Sequence, residues 1–531
     1  MISRQKRYWL FRLAGVLLPL AALVAVDQVL HAVFPYQGEM GYLRKAEGDP
    51  PLYYLERGKP RIFGELPKNK EKNAVRIFTF GGSAAWGLPY GAGGSFSGWL
   101  AEILGSLQPL VKVEVINTGY PSAPLATARD FAEASIAFKP DIFIMDNGHN
   151  EFLLENQVLR ETAMDPRWVH WLRRKLRYRS FLYFQLDRWY SRLRAKSLYR
   201  LENVRFEDYG TKVDDQFKSE LRSIITLARR HKVKLVILTE ACNELDYAPM
   251  QSWWQPGLDS SEIARCEGLL AQIRRAIRED RVYDAEKAYG DLCALSPGYA
   301  QATYELAQMY LRRGEGLRAR QAFRRAKEED RTLVRVKARF NAILRREVLE
   351  LDPRDVALVD VERLFAQASP QGIPGDNLFM DGMHPNLQGH FLIAGELAKL
   401  LIQRGWVPVS RGLPPRLEFS DFRKSNRRVN DDAVLETAGY FVGLRRFAAA
   451  EKIYQDYLRQ HDHWLVHVSL AVIALEKNEH TRAEYELAHA LRLLNGNSQP
   501  IIDAAKISYA HWVDEFEKWR EDADKKNKPE R

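Results

Sequence analysis

The sequence predicts an α/β fold built on a doubly wound, five-stranded parallel sheet, with a helical insertion and a helical C-terminal region. Two observations predict the sheet. Five short apolar runs lack strict alternation of polar and apolar residues, and helical stretches such as Phe96–Leu107 and Leu125–Ala137 separate the first of them. Strands buried on both faces have this continuous apolar pattern, and alternation with helices is typical of parallel sheets. The predicted strands are Val75–Phe80, Val111–Ile116, Asp141–Met145, Val233–Leu238 and Val356–Val361.

Length and composition indicate a globular protein of several domains. The chain has 531 residues, which at roughly 100 to 200 residues per domain is too long for one compact fold. A hydrophobic content of 46% excludes a wholly disordered or collagen-like chain. The net charge of +10 is small for this length, and acidic and basic residues are interleaved, so we expect no nucleic-acid partner.

The N-terminus carries the pattern of a membrane anchor. Basic residues within the first twelve positions precede the apolar run Leu13–Val26, which continues less purely to Phe34. No small-residue cleavage site follows the run, which favours an uncleaved transmembrane helix, with residues 1–35 as cytoplasmic stub and anchor, over a cleaved signal peptide or a buried helix. Because basic flanks stay in the cytoplasm, we expect a single-pass inner-membrane protein whose chain after about residue 35 lies in the periplasm.

Two helical regions show a repeat of about 34 residues and resemble tetratricopeptide repeats. We expect an insertion at 259–350 and a C-terminal domain at 413–531, around a sheet domain formed by 36–258 and 351–412. Such repeats expose a concave surface that suits a protein or peptide partner, whereas ordinary helical hairpins remain the alternative. The small and large residues of the pattern are Leu306, Ala307, Tyr310, Gly314, Ala319, Phe323 and Ala326, and then Ala438, Phe441, Ala450, Tyr454, Leu470, Ala471, Ala483, Leu487 and Ala490.

The segment Arg167–Arg200 interleaves aromatic and basic residues. It is compatible with a helix whose aromatic residues are core and whose arginines face water. An amphipathic helix on a membrane surface and a patch for an anionic polymer are the two alternatives.

Four short motifs follow predicted strands, where ligands of parallel α/β sheets bind. Phe80–Gly87 places Ser83 between glycines, and Asn117–Tyr120 contains Gly119. Asn147–Glu151 offers a side-chain amide, and Asp381–Pro385 places an aspartate three residues before a histidine. That last spacing lets the carboxylate reach Nδ1 of His384 and orient its ring.

In this order, the four motifs resemble the blocks of the SGNH hydrolases, also called the GDSL esterase/lipase superfamily. The resemblance covers roughly 70–155, 230–245 and 355–405 and implies a flavodoxin-like sheet. It implies that Ser83 is the nucleophile, with Ser83, Gly119 and Asn150 as oxyanion donors. The histidine of the last block is His384, and Asp381 precedes it. Gly82 and Glu151 stand where the family commonly has aspartate, which leaves the substrate open.

These residue types suit ester chemistry, because a serine hydroxyl needs a base within hydrogen-bonding reach and the base needs an orienting acceptor. We therefore expect a serine esterase that cleaves a short acyl ester, on an envelope polysaccharide or lipid. O-acetyl transfer to an exopolysaccharide is one alternative. A tetratricopeptide scaffold with a vestigial hydrolase domain is the other, although decay usually removes at least one catalytic group.

Further expectations concern other histidine, serine and cysteine side chains. His149 is a candidate substrate contact, whereas His390 is expected to be structural. Ser97 lacks the strand that a nucleophilic serine needs directly before it. Cys242 is expected to be buried, and the other two cysteines, Cys266 and Cys293, are candidates for a disulfide. No cofactor and no metal site are expected, because His461 and His463 lack partner ligands.

Overall fold

The computed structural model describes most of the chain as two units. The described residues are 21–30, 43–45, 53–57, 59–61, 70–152, 180, 182–183, 185–186, 189, 206–332, 334–412, 414, 417–425, 431–443, 445–459, 461–508 and 512–526. One unit comprises 1–88 and 95–417, and the other comprises 89–94 and 418–531.

Two sequence predictions fall largely outside the described residues. Of the expected anchor only 21–30 is described, and this stretch is helical. Within the described part of the chain, no helix combines the length and apolar character needed to cross a membrane. Most of the aromatic and basic segment Arg167–Arg200 also lies outside the described residues.

Within the described residues, eight strands form two sheets. A small antiparallel sheet, which the sequence did not predict, consists of β1 (Leu43–Lys45), β2 (Tyr53–Arg57) and β3 (Lys59–Arg61). The central sheet is parallel and has the order β5-β4-β6-β7-β8. Its strands are β4 (Ala74–Gly81), β5 (Lys112–Asn117), β6 (Ile142–Asp146), β7 (Lys234–Leu238) and β8 (Val356–Val359).

The central sheet confirms the predicted fold class, since all five predicted runs form its strands. In chain order the five strands are arranged 2-1-3-4-5, the order of flavodoxin-like sheets. Gly81 at the end of β4 is in register with Asp146 at the end of β6, which in turn is opposite Leu238 at the end of β7. The carboxyl ends of these strands therefore meet at one edge of the sheet.

Helices of the first unit surround the central sheet and form the insertion, whereas one short helix, Gly91–Gly94, belongs to the second unit. In chain order they are α1 (Ser83–Trp86), α2 (Gly91–Gly94), α3 (Phe96–Ser106), α4 (Leu125–Ser135), α5 (Phe206–His231), α6 (Ser260–Arg278), α7 (Val282–Leu295), α8 (Ala300–Arg312), α9 (Gly316–Glu329), α10 (Ala338–Leu349), α11 (Val361–Gln367) and α12 (Leu387–Gln403). Short 3₁₀ helices occur at Ile136–Phe138, His149–Phe152 and Pro370–Gly372.

The main core lies on one face of the central sheet. Phe78 and Phe80 of β4 pack there in a cluster that includes Phe131 of α4, Phe217 of α5 and Phe340 of α10. Residues that alternate to the other face, such as Ile77, are also fully buried. Trp99 of α3 and Phe391 of α12 meet edge to face, with ring centroids 5.6 Å apart. Both faces are thus covered, which explains why the strands are continuously apolar.

The insertion is a pair of helical hairpins, α6 with α7 and α8 with α9. Alanines at the crossings, including Ala285, Ala307 and Ala319, are fully buried and let the helices approach closely. The predicted insertion 259–350 also includes α10, but Phe340 and Leu344 of α10 pack in the core of the sheet. Cys266 and Cys293 of the insertion are free thiols, so the candidate disulfide is not formed.

The C-terminal helices form a second unit with its own core. They are α13 (Phe419–Ser425), α14 (Asp431–Gly443), α15 (Phe447–Leu458), α16 (Trp464–Glu476), α17 (His480–Leu493), α18 (Gln499–Ser508) and α19 (Val513–Lys526). Ala438, Ala450, Ala471 and Ala483 are buried at its helix crossings. Helix α16 is buried on nearly all sides, because every residue from Val466 to Leu475 is buried. The predicted small-residue pattern therefore forms the core of this unit.

Candidate active site

Ser83 lies at a sharp passage from strand to helix. Strand β4 ends at Gly81, and α1 begins at Ser83. The turn is closed by the amide of Trp86, which donates to the Gly82 carbonyl at 3.0 Å. The first amides of a helix have no partner inside the helix, so the Ser83 N–H begins α1 without an intrahelical acceptor.

The Ser83 hydroxyl is hydrogen-bonded to an imidazole from the other end of the domain. Its Oγ lies 2.7 Å from Nε2 of His384, although the two residues are 301 positions apart. Nδ1 of His384 lies 2.6 Å from Oδ2 of Asp381. All three side chains are buried, with 6% to 8% of each residue exposed. The structure thus joins a hydroxyl, an imidazole and a carboxylate in one chain of hydrogen bonds.

The Asp381 carboxylate also shapes the turn that carries the histidine. Its Oδ1 accepts hydrogen bonds from the backbone amides of Met383 and His384, each at 2.8 Å. The amide of Met380 donates to the His384 carbonyl at 2.9 Å. One oxygen of Asp381 therefore holds the turn while the other orients the ring. The spacing of three residues achieves both at once.

Gly119 lies directly against the backbone of α1. A Cβ at residue 119 would lie 2.4 Å from the Trp86 nitrogen, so only glycine fits there. Its N–H donates to the side-chain oxygen of Asn117 at 2.8 Å. The Asn117 amide nitrogen in turn donates to the Ala85 carbonyl at 2.9 Å. The predicted donor Gly119 is therefore next to the site, but Asn117, whose role the sequence reasoning missed, already accepts its hydrogen bond.

Asn150 reaches Gly82, the residue before Ser83. Its Nδ2 lies 2.1 Å from the position that a Cβ on Gly82 would occupy. Nδ2 also donates to the Ala123 carbonyl at 3.0 Å, which orients the amide. Glycine at position 82, where the family commonly has aspartate, thus makes room for the Asn150 amide.

Glu151 supports the adjacent helix rather than the reacting groups. Its Oε1 accepts a hydrogen bond from the Leu125 amide at the start of α4, at 3.0 Å. Burial is the main cause that raises the pKa of Glu151 to about 8, and the carboxylates of Glu240 and Glu220 add to the shift. The residue that departs from the family pattern is therefore a largely neutral cap of α4 at pH 7.

His149 faces the protein interior. Its Nδ1 accepts a hydrogen bond from the Val336 amide at 3.0 Å, and its Nε2 lies 3.1 Å from Oε2 of Glu240. Burial and the neighbouring Glu240 raise the pKa of Asp146 well above its ordinary value. The Val336 amide thus occupies Nδ1 of His149, and the substrate contact stays a prediction.

The loop after β7 packs against the turn that contains Asp381. No pattern in the sequence indicated this contact. The Asn243 amide donates to the Gly382 carbonyl at 3.0 Å. The ring of Tyr247 lies against Gly382, with Cε1 2.9 Å from the place of a Cβ. Arg335 holds this loop by donating to the carbonyls of Asn243 and Tyr247 at 3.1 and 2.9 Å. The loop that follows another strand therefore packs against the turn that carries His384.

The hydrogen bonds that join Ser83, His384 and Asp381 do not include the other candidate side chains. Ser97 is buried at the start of α3, with its Oγ 2.7 Å from Oγ of Ser95. His390 is fully buried in α12, and burial lowers its pKa to about 3. Cys242 is a buried free thiol, and burial raises its pKa to about 11. These environments agree with the structural roles expected for Cys242 and His390.

A cavity of about 490 Å³ lies elsewhere in the same unit. Its lining includes Arg320 and Arg324 of α9, Arg345 of α10 and Arg363 of α11. Arg345 is paired with Asp360 at 2.7 Å. None of the three hydrogen-bonded residues of the candidate active site lines this cavity.

The helical regions match a known repeat family. Residues 270–333 and 435–498 match the tetratricopeptide repeat. The first segment spans the insertion hairpins, and the second spans α14 to α17. The prediction of tetratricopeptide repeats in both helical regions is therefore confirmed. No curated protein matches the chain in sequence.

Several solved structures are similar to the chain. One is a lipolytic protein of the G-D-S-L family from Desulfitobacterium hafniense DCB-2, with 10% identity, 62% of this chain and 99% of that chain covered, and a TM-score of 0.28. Another is an acylhydrolase from Bacteroides fragilis NCTC 9343, with 10% identity, coverage of 64% and 91%, and a TM-score of 0.29. A third is an acetyl xylan esterase from Geobacillus stearothermophilus, with 13% identity, coverage of 65% and 100%, and a TM-score of 0.27.

One of these structures is described as a member of the G-D-S-L family, the class that the sequence motifs resemble. The chain is similar to solved GDSL-type hydrolases and carries tetratricopeptide repeats in both of its helical regions.

Proposed function

We propose that this protein is a serine ester hydrolase in which Ser83 is the nucleophile, His384 the general base and Asp381 the residue that orients the base. The observation that carries the proposal is the continuous hydrogen-bond chain from Ser83 Oγ to His384 Nε2 at 2.7 Å and from His384 Nδ1 to Asp381 at 2.6 Å. A neutral hydroxyl is a weak nucleophile, and this arrangement is the one that activates it.

The reaction proceeds through an acyl-enzyme. Nε2 of His384 takes the proton of Ser83 as Oγ attacks the ester carbonyl, and the negative carboxylate of Asp381 stabilises the imidazolium that forms. The C–O bond to the alcohol then breaks, and the departing oxygen receives the proton from Nε2. Water attacks the acyl-serine with His384 again as base, which releases the acid and restores the Ser83 hydroxyl.

Two donors are best placed for the negative charge on the carbonyl oxygen. The Ser83 N–H lies in the first turn of α1, and the Asn150 amide lies over Gly82, the preceding residue. The Gly119 N–H is engaged by Asn117, so its contribution requires an exchange of acceptor. Donors that already point to the oxyanion position before reaction are the effective ones, because no reorganisation is needed.

The experiment is hydrolysis of p-nitrophenyl acetate by the purified protein and by Ser83→Ala. We expect the substitution to reduce turnover by roughly 10⁴- to 10⁶-fold. Ser97→Ala is the matched control, because Ser97 is a second buried serine of the same domain without a histidine partner. Equal turnover by Ser83→Ala and the unmodified protein would refute the proposal.

The substrate proposed is a short acyl ester on an envelope polysaccharide or lipid. This part rests on the N-terminal pattern of basic residues followed by Leu13–Val26, which supports export and anchoring with the catalytic domain in the periplasm. A fusion of alkaline phosphatase after residue 40 tests the topology, because the reporter is active only outside the cytoplasm. An inactive fusion would exclude the proposed location.

The acyl acceptor is proposed to be water. A sugar hydroxyl could attack the same acyl-enzyme, so the assay is repeated with an oligosaccharide acceptor and the products are analysed by mass spectrometry. Free acid alone supports hydrolysis, whereas an acylated oligosaccharide would assign the protein as a transferase. Neither result depends on the location of the chain.

The two repeat regions are proposed to bind a protein or peptide partner. Tetratricopeptide repeats present extended concave surfaces for such ligands. The alternative of a scaffold with a vestigial hydrolase domain is disfavoured, because Ser83, His384 and Asp381 are all present and are joined by short hydrogen bonds. Turnover by the purified protein that Ser83→Ala removes would exclude that alternative.

A further inference from the structure

The C-terminal helical unit brings together two histidines and a carboxylate that the proposed esterase does not use. His467 lies on α16, His489 lies on α17, and Asp462 lies just before α16. Their possible metal-ligand atoms all lie within 4.8 Å of one another. The sequence predicted no metal site from the neighbouring His461 and His463. Neither of these histidines belongs to this group.

Asp462 connects the two imidazoles. Its Oδ1 lies 2.8 Å from Nε2 of His467, and its Oδ2 lies 3.0 Å from Nε2 of His489. The two rings are stacked with their centroids 4.1 Å apart. Both Nε2 atoms therefore face one carboxylate, so that three ligand atoms surround a common point.

A second carboxylate, that of Glu486, contacts the other ring nitrogen of His467. Nδ1 of His467 lies 2.6 Å from Oε2 of Glu486, whose side chain is 12% exposed. Histidines that bind metal through one nitrogen almost always donate the other N–H to a carboxylate, carbonyl or water, which sets the tautomer and the ring orientation. Glu486 gives His467 this arrangement, with Nε2 directed to Asp462 and His489.

We propose that Asp462, His467 and His489 bind one divalent transition-metal ion of the zinc class, with Glu486 as the carboxylate that orients His467. Two imidazoles and one carboxylate are ligands that zinc accepts, and a water molecule completes four-coordinate sites with three protein ligands. The three ligand atoms lie within 4.8 Å of one another. This separation is close to the required geometry, because ligand atoms at about 2.0 to 2.2 Å from a tetrahedral ion lie roughly 3.4 Å from each other.

The surroundings permit the small movements that binding requires. The side chains of Asp462 and His489 are 52% and 26% exposed, so the ion and its water have access from solvent. Arg492, an exposed residue, donates to Nδ1 of His489 at 3.2 Å. In the bound form Nδ1 carries the proton, and Arg492 turns towards solvent. The two carboxylates of Asp462 and Glu486 balance the charge of a divalent ion.

The ion would join both helices of one repeat hairpin. Helices α16 and α17 are adjacent and lie within the matched repeat segment 435–498. Because binding to the folded state alone raises stability, zinc is expected to increase the melting temperature of this unit. The inference is independent of the esterase proposal, since no group of the Ser83 site takes part.

The test uses the full chain without an affinity tag, stripped with EDTA and titrated with Zn²⁺ against a chromophoric chelator. We expect one ion per chain, bound reversibly, and a higher melting temperature in calorimetry. His489→Ala should lower the affinity at least tenfold, and Glu486→Gln should lower it about 10- to 100-fold through the orientation of His467.

The matched control is His480→Ala, because His480 is an exposed histidine at the start of the same helix. It should leave the affinity unchanged. Circular dichroism of each variant shows whether α-helix content is retained, and His489→Ala is chosen because His489 is more exposed than the buried His467. Absence of stoichiometric Zn²⁺ binding by the unmodified chain, or equal affinity of the chain and His489→Ala, would overturn the proposal.

Discussion

The Asn150 amide occupies the space over Gly82 that any side chain at position 82 would need. Nδ2 of Asn150 lies 2.1 Å from the place of a Cβ there, and Ala123 accepts one of its hydrogen bonds at 3.0 Å. The two residues are thus dependent on each other, one supplying an amide and the other supplying room. The proposed role of Asn150 as an oxyanion donor can therefore be tested by substituting either residue.

Asn150→Ala is expected to lower kcat for p-nitrophenyl acetate by about 100- to 1000-fold, because it removes one oxyanion donor. Gly82→Ala should lower kcat similarly by displacing the amide. The double variant should be little worse than either single variant, since both changes remove the same interaction. Fully additive losses in the double variant would show that Gly82 and Asn150 act separately.

Asp381→Asn is expected to lower kcat by about 10⁴-fold. The backbone amides of Met383 and His384 donate to Oδ1, so the amide oxygen of an asparagine would stay there. Its NH₂ group would then face Nδ1 of His384 and place the ring proton on Nε2, the atom that must accept the Ser83 proton. The measurement is kcat together with a thermal melt.

If the melting temperature of Asp381→Asn is nearly unchanged, the loss of kcat is due to the altered tautomer of His384 and not to unfolding. Wild-type turnover by this variant would contradict the role of Asp381.

Glu151→Gln is expected to change the pH dependence of stability. Burial raises the pKa of Glu151 from its ordinary value of 4.5 to about 8, so the folded protein holds a proton that the unfolded chain releases. The associated stability is therefore full below about pH 4.5 and is lost as pH rises towards 8. Glutamine is neutral and can keep the acceptor for the Leu125 amide.

The melting temperature of Glu151→Gln relative to the unmodified protein should accordingly rise between pH 5 and pH 8. Glu133→Gln is the control, because Glu133 is an exposed glutamate of α4, the helix that Glu151 caps. A difference that does not vary with pH would contradict the raised pKa of Glu151.

Lys337→Met is expected to destabilise the first unit by about 1 to 3 kcal/mol, because it leaves buried carbonyls without a donor. Nζ of Lys337 donates to the carbonyls of Lys327, Glu328 and Asp330 at 2.9, 2.9 and 3.0 Å, at the end of α9. The measurement is urea unfolding monitored by tryptophan fluorescence. Lys287→Met, at an exposed position of α7, should have an effect within about 0.5 kcal/mol.

If Lys337→Met proved as mild as Lys287→Met, the buried ammonium would have no measurable role in closing the end of α9. A loss in the expected range would show that one side chain secures the junction between the last insertion helix and α10.

Much of the site follows from local sequence patterns. The continuous apolar runs predict parallel strands because both faces of such strands are buried, and β4, β5, β6, β7 and β8 all formed where those runs lie. The motif Asp381–Pro385 predicts its own hydrogen bond, since three residues separate the carboxylate from His384. Ser83 and His384 then meet because both follow strands whose carboxyl ends share one edge.

Other functional contacts have no local signature. Asn117, which holds the Gly119 amide, sits in a recognised motif but acts through a contact that only the structure displays. Tyr247 packs against the Asp381 turn, and Arg335 donates to the Tyr247 carbonyl, although neither residue lies in a motif. His149 belongs to a motif, yet its Nδ1 accepts a hydrogen bond from the Val336 amide, a contact that only the structure displays.

The sequence by itself determined the strand and repeat pattern of this protein and predicted its reacting groups, because periodic burial and short motifs are local properties of a chain. Only the tertiary structure decided that Asn150 lies over Gly82 and that His467 and His489 face the same carboxylate. Such contacts depend on how helices and loops distant in sequence pack in three dimensions. The packing of side chains over the whole domain sets these distances, and no local pattern encodes them.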